Sequence, residues 1–278
     1  MTGFSAEWLA LREPADRAAR SVRLTRALAD ALPREKAPRI LDLAAGTGSN
    51  LRYLADQFLE AGADPRVRPD WLLVDHDPAL LAQVPKTPGV DTHCMDLASL
   101  DDREIFDGRT LVTASALLDL VSEAWVRTLA ARCAESGAAV LFALSYDGRI
   151  ECSPEDPDEG PIVALVNEHQ RTDKGFGPAL GPDATNCAER CFASLGYHVH
   201  RDRSDWVLPP AAQELQRQLI DGWAQAVAEI APAQAAMIDG WRSRRLAHVA
   251  AHRSQLIVGH QDLAGILGTK DLRIKLRV

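Results

Sequence analysis

Short apolar runs alternate with longer amphipathic segments between residues 38 and 146. Strand-length apolar runs lie at 40–43, 71–74, 90–94, 110–115 and 138–145, and helical patterns lie at 49–61, 79–84 and 123–135. Repeated strand-then-helix order predicts an α/β fold, with a Rossmann-like, mostly parallel sheet that has helices on both faces. Two later strand candidates, 197–200 and 255–258, bring the predicted sheet to seven strands.

A helical pattern precedes the first strand. Residues 5–31 carry a helical apolar face, and Pro14 fits the first turn of a second helix. We therefore expect a helix break near Arg12. Residues 1–37 are interpreted as an N-terminal helical lid, packed on a main domain that spans 38–278.

Two segments late in the chain depart from the strand–helix alternation. Residues 150–182 are rich in Pro and Gly and contain one short helical pattern at 162–169, so a long functional loop is predicted. Residues 209–253 contain two helical patterns with several tryptophans nearby. This late helical insertion is interpreted either as a cap over the substrate or as the interface of a homodimer.

Composition and charge narrow the classes of partner. The 278 residues carry a net charge of −8 and have no clustered Lys and Arg face, which argues against nucleic acid. No apolar run reaches membrane-spanning length, and the first residues lack a signal-peptide pattern. The five cysteines are scattered without a CxxC pair, as is typical of a reducing cytoplasm. We expect a cytoplasmic protein that binds neither nucleic acid nor membranes.

The stretch 39–50 combines a buried strand, a small-residue turn and a helix start. Gly46 and Gly48 lack Cβ atoms, so a ligand can approach the backbone closely, and free N–H groups at the helix start face it. Asp75 ends the next strand, where a carboxylate can accept hydrogen bonds from both ribose hydroxyls. Asp96 follows the third strand. Turn or helix-cap roles are the alternative for both acidic residues.

These residues carry a family resemblance. Leu41-Asp42-Leu43-Ala44-Ala45-Gly46-Thr47-Gly48-Ser49-Asn50 resembles the first motif of class I S-adenosylmethionine-dependent methyltransferases. Val74-Asp75-His76-Asp77-Pro78 looks like the second motif, Met95-Asp96-Leu97 is similar to the third, and 113–120 occupies the fourth position. The resemblance covers about residues 38–146. Ala44 departs from it, because the family usually has glycine there.

The resemblance implies S-adenosyl-L-methionine as the cofactor and a set of residues around it. Asp42 would orient the methionine moiety, Asp75 would bind the ribose, and Asp96 with the Leu97 backbone would bind the adenine. The implied cofactor-binding residues are Asp42, Ala44, Gly46, Gly48, Asn50, Asp75, His76, Asp96, Leu97 and Ser115. Arg20 could meet the cofactor carboxylate if the N-terminal segment folds over the site. In the family the last strand usually inserts beside the fifth.

The fourth motif bears on the acceptor. Methyltransferases of nucleic-acid amines commonly have an Asn- or Asp-Pro-Pro-aromatic sequence here, whereas this chain has Ser115-Ala116-Leu117-Leu118. Together with the acidic net charge, this favours a small-molecule acceptor.

Polar residues in the long loop are the candidates for substrate contact. The predicted substrate-binding residues are His169, Gln170, Arg171, Asp173, Lys174 and Trp206. His169 could act as a general base, because imidazole is the side chain that exchanges protons most readily near neutral pH, and Asp119 could face the acceptor after the fourth strand. The alternatives are a solvated loop and a capping role for Asp119. No metal site is predicted.

We therefore predict a methyltransferase that moves a methyl group from S-adenosylmethionine to an O, N, S or C nucleophile of a small molecule. One alternative is an NAD(P)-dependent oxidoreductase on a Rossmann fold, although Leu51 stands where its glycine fingerprint would require a small residue. The other alternative is a non-catalytic relative that serves as a cofactor-binding or interaction module.

Overall fold

The computed structural model describes residues 4–32, 37–62 and 67–268. The strands found there are β1 Arg39–Leu43, β2 Asp70–Asp75, β3 Val90–Cys94, β4 Leu111–Ser115, β5 Ala139–Ser153, β6 Tyr197–Arg203, β7 Trp206–Leu208 and β8 Gln255–Leu267. The α-helices are α1 Ala6–Ala19, α2 Val22–Ala31, α3 Ser49–Glu60, α4 Pro78–Leu81, α5 Glu123–Ser136, α6 Glu159–Gln170, α7 Ala184–Ser194, α8 Gln213–Ile230 and α9 Ala235–Ala250. The outer limits of the predicted domains, at residues 1 and 278, lie outside the described residues.

One mixed sheet organises the fold, with strand order β3-β2-β1-β4-β5-β8-β6. The five strands from β3 to β5 are parallel, and β8 runs antiparallel between β5 and β6. The predicted mostly parallel sheet is confirmed, as is the insertion of the last strand beside the fifth. An eighth strand arises because the chain leaves β6 at Ser204, whose N–H donates to His260 O, and then pairs again as β7 with β8.

Apolar side chains cover both faces of β1, the middle one of the five parallel strands. Ile40 and Leu43 are fully buried and point to opposite faces. On one face α2, α3 and α4 contribute to the core, and α5 and α7 contribute on the other. A strand covered on both sides is apolar at most positions, which is why residues 40–43 are recognisable in the sequence, with Asp42 as the exception.

The expected break near Arg12 is wrong. Helix α1 continues through Pro14 to Ala19, and the chain turns at Arg20, whose ψ of 144° is extended. The carbonyl of Ala10 loses its helical partner at Pro14, but Ala10 is exposed and the carbonyl can be hydrated. Ser21 then caps α2 by accepting a hydrogen bond from the Leu24 N–H.

The segments predicted as loop and insertion pack together beyond the carboxyl edge of the sheet. β5 and β8 are longer than predicted, and α6 packs against α8 and the extension of β5. Helices α8 and α9 form an antiparallel pair whose buried side chains include Trp223 and Trp241. The core they share with Tyr146 is separate from the two cores on the faces of the sheet.

Candidate functional site

The turn between β1 and α3 has the left-handed backbone that its small residues permit. Ala44, Gly46 and Gly48 have φ angles of 53°, 54° and 81°. Glycine adopts such angles without strain, whereas Ala44 does so at some cost. The turn is fixed by a hydrogen bond from Ala45 N to Val74 O at 3.0 Å.

A network of buried side-chain hydrogen bonds lies beneath this turn. Asn50 Nδ2 donates to Asp42 Oδ1 at 2.6 Å and to Thr113 Oγ1 at 3.1 Å. Asn50 Oδ1 accepts from Arg20 Nη1 at 2.6 Å. The Arg20 guanidinium also stacks on the ring of Tyr53, 4.0 Å from its centroid. Residues from α1, α3, β1 and β4 therefore meet at one point.

The two charged residues of this network, Asp42 and Arg20, have atoms that lack a hydrogen-bond partner within the part of the chain that the structure describes. Among the described residues, Asp42 Oδ2 and both Nε and Nη2 of Arg20 have no hydrogen-bond partner, although these atoms are buried. Burial raises the pKa of Asp42 to about 7, opposed by the Asn50 hydrogen bond and the charge of Arg20. Burial likewise lowers the pKa of Arg20. Buried, unpaired polar atoms are costly, and these three atoms are available to pair with a ligand.

Asp262 fixes the bend that follows α1. Its carboxylate accepts the Ser21 N–H and the Leu144 N–H, each at 2.8 Å. The bend after α1 is thereby attached to β5 and β8. The negative charge of Asp262 also opposes the effect of burial on the pKa of Arg20.

The second predicted carboxylate lies beside the Gly turn. Asp75 is 4% exposed, and its oxygens accept from Gly46 N at 2.8 Å and Asp77 N at 3.0 Å. His76 is exposed, with Nδ1 3.3 Å from Asp75 Oδ1. A carboxylate has about four lone-pair positions, so Asp75 can accept further hydrogen bonds. The structure thus brings the first two motifs together.

The third and fourth motifs follow the neighbouring strand ends. Asp96 is exposed, and its Oδ1 accepts the Ala98 N–H at 2.8 Å, which is the turn role given above as the alternative. Leu97 is buried, and its carbonyl accepts from Trp125 Nε1 at 2.7 Å. Ser115 is half-buried at the end of β4.

Helix α1 covers the Gly turn. A Cβ atom on Gly46 would lie 3.0 Å from Cδ1 of Leu9, so Leu9 fills the space that the missing side chain leaves. Glu13 accepts from Arg52 Nε at 2.8 Å and from Nη2 at 2.6 Å, while Arg52 Nη1 donates to Thr47 O. The lid is therefore fastened to both the turn and α3.

A second group of buried polar residues lies under α1. Asp119 is 7% exposed, and burial raises its pKa to about 6, opposed by main-chain hydrogen bonds at Asp119 and Tyr146 and by the charge of Arg12. Arg12 is paired with Asp16 at 2.9 Å and stacks over Trp206 at 5.0 Å.

The predicted substrate-binding residues are not gathered in one place. His169 lies between Glu229 at 3.1 Å and Lys174 at 3.3 Å, and burial lowers the pKa of Lys174. Arg171 donates to Asp183, and Asp173 Oδ1 accepts from the Gly175 and Gly177 N–H groups. Gln170 is half-buried beside Gly181.

Trp206 is buried under Arg12 and donates to Asp16 Oδ1 at 3.1 Å. Only Trp206 lies with the group around Asp119.

Neither a cluster of metal ligands nor a membrane-spanning helix is found in the part of the chain that the structure describes. No group of three or more His, Cys, Asp or Glu within 4–32, 37–62 and 67–268 is placed to hold a metal ion. Across those same residues, no helix combines the length and apolar character needed to cross a membrane.

Comparison with known proteins gives distant structural similarities only. No family model and no curated protein matches the sequence. A putative methyltransferase from an antibiotic biosynthesis pathway of Anabaena variabilis is 14% identical, with 91% of this chain and 100% of that chain covered and a TM-score of 0.47. The YcgJ protein from Bacillus subtilis is 12% identical, with 87% and 99% covered and a TM-score of 0.46.

A third similar structure is the Haemonchus contortus phosphoethanolamine N-methyltransferase 2, in complex with phosphomonomethylethanolamine and S-adenosylhomocysteine. It is 14% identical, with 84% of this chain covered and a TM-score of 0.40, and this chain spans 49% of its length. Similarities at this level carry no argument about function. The strand order and the Gly turn after β1 are evidence that does not depend on these similarities. They show that the chain has the Rossmann-like sheet that its resemblance to class I methyltransferases implies.

Proposed function

We propose that the protein is an S-adenosylmethionine-dependent methyltransferase acting on a small molecule. One observation carries the proposal, namely the pair of unsatisfied, oppositely charged groups at the Gly turn. Arg20 offers Nε and Nη2, and Asp42 offers Oδ2, with Asn50 held between them. These groups complement the carboxylate and the ammonium of an α-amino acid.

This pairing favours the proposed cofactor over NAD(P). A dinucleotide has no ammonium group, so Asp42 would stay unpaired, and its pyrophosphate would meet the buried carboxylates of Asp42 and Asp75. The methionine end of S-adenosylmethionine satisfies both charged residues. Asp75, with its remaining lone pairs, is suited to the ribose hydroxyls.

The residues of the protein would therefore bind and orient the cofactor. When bound, the cofactor supplies an electrophilic methyl group on a sulfonium. Arg20 and Asp42 hold the amino-acid end, while α1 excludes water from the site. Asp96 and Leu97 at the adenine end and the loop from His169 to Lys174 remain predictions from the sequence.

Further parts of the proposal concern partners and location. We propose a small-molecule acceptor and no nucleic acid, because net charge is −8. The five cysteines are all free, which supports a cytoplasmic location. The α8–α9 pair has two candidate roles under this proposal, the interface of a homodimer and a cap over the acceptor.

The test is calorimetric titration with three ligands: S-adenosylhomocysteine, 5′-methylthioadenosine and NAD. 5′-Methylthioadenosine keeps the adenosine and the sulfur but lacks the amino-acid end. Two charge-assisted contacts should make S-adenosylhomocysteine bind about 100-fold more tightly than 5′-methylthioadenosine. Failure to bind S-adenosylhomocysteine, equal affinity for the two adenosine ligands, or preference for NAD would refute the proposal.

A further inference from the structure

Buried polar atoms without partners also occur around Arg12, away from the Gly turn. Among the described residues, Asp119 Oδ1, His260 Nδ1 and Trp8 Nε1 have no hydrogen-bond partner. Asp119 is 7% exposed and His260 is 6% exposed. Each such atom left unpaired disfavours the folded protein, so a cluster of them indicates a ligand.

These residues meet around Arg12 and Trp206, and the space between them is the candidate site. The Trp206 ring lies 5.0 Å from the Arg12 guanidinium and 5.1 Å from the His260 ring. The charge of Arg12 acts on both Asp119 and His260. The ring of Tyr146 lies 6.3 Å from that of His260, and the Tyr146 main chain hydrogen-bonds the Asp119 carboxylate. Trp8 lies one helical turn before Arg12 on α1, so the two side chains share a face.

The charges of Arg12 and Asp119 disfavour a ligand with a single net charge in this space. Arg12 is paired with Asp16 but still repels a cation, while Asp119 repels an anion. His260 is uncharged at neutral pH, because burial and Arg12 lower its pKa to about 3. The neighbouring core residues, including Tyr146, are apolar or aromatic. The space therefore suits an uncharged, largely apolar molecule.

We propose that this space, the α1 chamber lined by Trp8, Asp119 and His260, binds an uncharged alcohol or phenol through its hydroxyl group. A hydroxyl is both a donor and an acceptor. It can donate to Asp119 Oδ1 and accept from Trp8 Nε1. The chamber is the acceptor site of the proposed methyltransferase, so this inference rests on the proposed function in naming a hydroxyl as the methylated group. The O–CH3 bond would form as the S–CH3 bond of the cofactor breaks, with the hydroxyl proton passing to Asp119 Oδ1 and S-adenosylhomocysteine leaving.

A matched pair of ligands tests the hydroxyl. Phenol and anisole share the ring and the oxygen, but anisole cannot donate to Asp119. Because a hydrogen bond to a charged acceptor is lost, we expect phenol to bind at least about tenfold more tightly than anisole. Benzoate and benzylammonium, which carry charge, should bind less well than phenol. Equal affinity for phenol and anisole would overturn the inference.

The Asp119→Asn variant sharpens this test. Main-chain N–H groups at Asp119 and Tyr146 already donate to this carboxylate, so the amide oxygen of the variant must face them. The amide NH2 then takes the position of Oδ1 and donates to the ligand instead of accepting. Preference for phenol over anisole should disappear. A variant that retains the tenfold preference would show that phenol binds elsewhere.

Indole N–H resonances of 15N-tryptophan-labelled protein report the binding directly. Trp8→Phe and Trp241→Phe assign two resonances, and Trp241 Nε1 also lacks a partner among the described residues, which makes it the matched control. Phenol should shift the Trp8 resonance and leave that of Trp241 in place. No shift at Trp8 would overturn the inference.

The experiment is run with and without S-adenosylhomocysteine. If that ligand does not bind while phenol shifts Trp8, the proposed function fails and the hydroxyl site stands. If it binds while phenol does not, the site fails and the proposed function stands.

Discussion

Nη1 of Arg20 donates to Oδ1 of Asn50 at 2.6 Å, although the two residues are 30 positions apart and lie on different elements. The contact fixes the guanidinium while Nε and Nη2 stay unpaired within the described structure. Arg20 is therefore positioned before any ligand arrives. Preorganisation of this kind lowers the entropic cost of binding.

We expect Arg20→Met to weaken the binding of S-adenosylhomocysteine by about tenfold or more, because a charge-assisted hydrogen bond is lost. The affinity for 5′-methylthioadenosine should stay within about twofold, since that ligand lacks the carboxylate. Calorimetry measures both. Arg17→Met, in the last turn of α1, half exposed and paired with Asp56, is the control and should change neither affinity. Equal losses with both ligands would contradict the assignment.

Binding should depend on pH through Asp42. Its carboxyl faces Arg20 and Asn50, with Asp75 as the nearby like charge, and its pKa is raised to about 7. An ammonium group pairs with the carboxylate only, so binding releases a proton below pH 7 and the affinity for S-adenosylhomocysteine falls about tenfold between pH 8 and pH 6. Titrations in two buffers of different ionisation enthalpy count the protons. Asp42→Asn should bind weakly, with this pH dependence removed; an unchanged slope would assign the proton elsewhere.

Opening of the lid should limit how fast ligands enter. Glu13→Gln weakens the ion pair that joins α1 to Arg52, which is partly exposed and worth about 0.5–1 kcal/mol. We expect association and dissociation of S-adenosylhomocysteine to become a few-fold faster, with little change in affinity. Stopped-flow tryptophan fluorescence measures both rates. Glu60→Gln removes a comparable surface pair with Arg26 and should leave them unchanged.

Acid stability should depend on His260. The folded pKa is about 3, against about 6.5 in the unfolded chain. Between these values the unfolded state binds the proton and the folded state does not, so stability falls as pH decreases through this window. From pH 7 to pH 5 the wild type should lose about 2 kcal/mol more than His260→Gln, measured by urea unfolding. His198→Gln, at an exposed strand position, should behave like the wild type.

Local signals explain which parts could be predicted from sequence. The strand at 40–43, the Gly turn and Asp75 follow one another closely, and apolar runs buried on both faces are recognisable without knowledge of their neighbours. The expected break near Arg12 is wrong, because the Ala10 carbonyl that Pro14 leaves without a helical partner is at an exposed position and can be hydrated. The extra strand β7 was missed, since its three residues are set by pairing with β8.

Tertiary contacts explain what the sequence could not show. His169 has a suitable side chain for a base, but its partner Glu229 lies on α8, far along the chain. The group formed by Trp8, Asp119 and His260 unites a lid helix, the turn after β4 and the last strand. These three residues come together only because of the order of the strands in the sheet, and their spacing in the sequence does not indicate that order.

Helix α1 has Trp8 near one end and leads into Arg20 at the other, about 18 Å apart at 1.5 Å per residue. It is a single rigid body fastened at Glu13. A ligand that fixes the position of the helix at one end therefore also positions the residue at the other end. Thermodynamic linkage then requires that each ligand strengthen the other's binding by the same factor, so occupancy of the two sites should be cooperative.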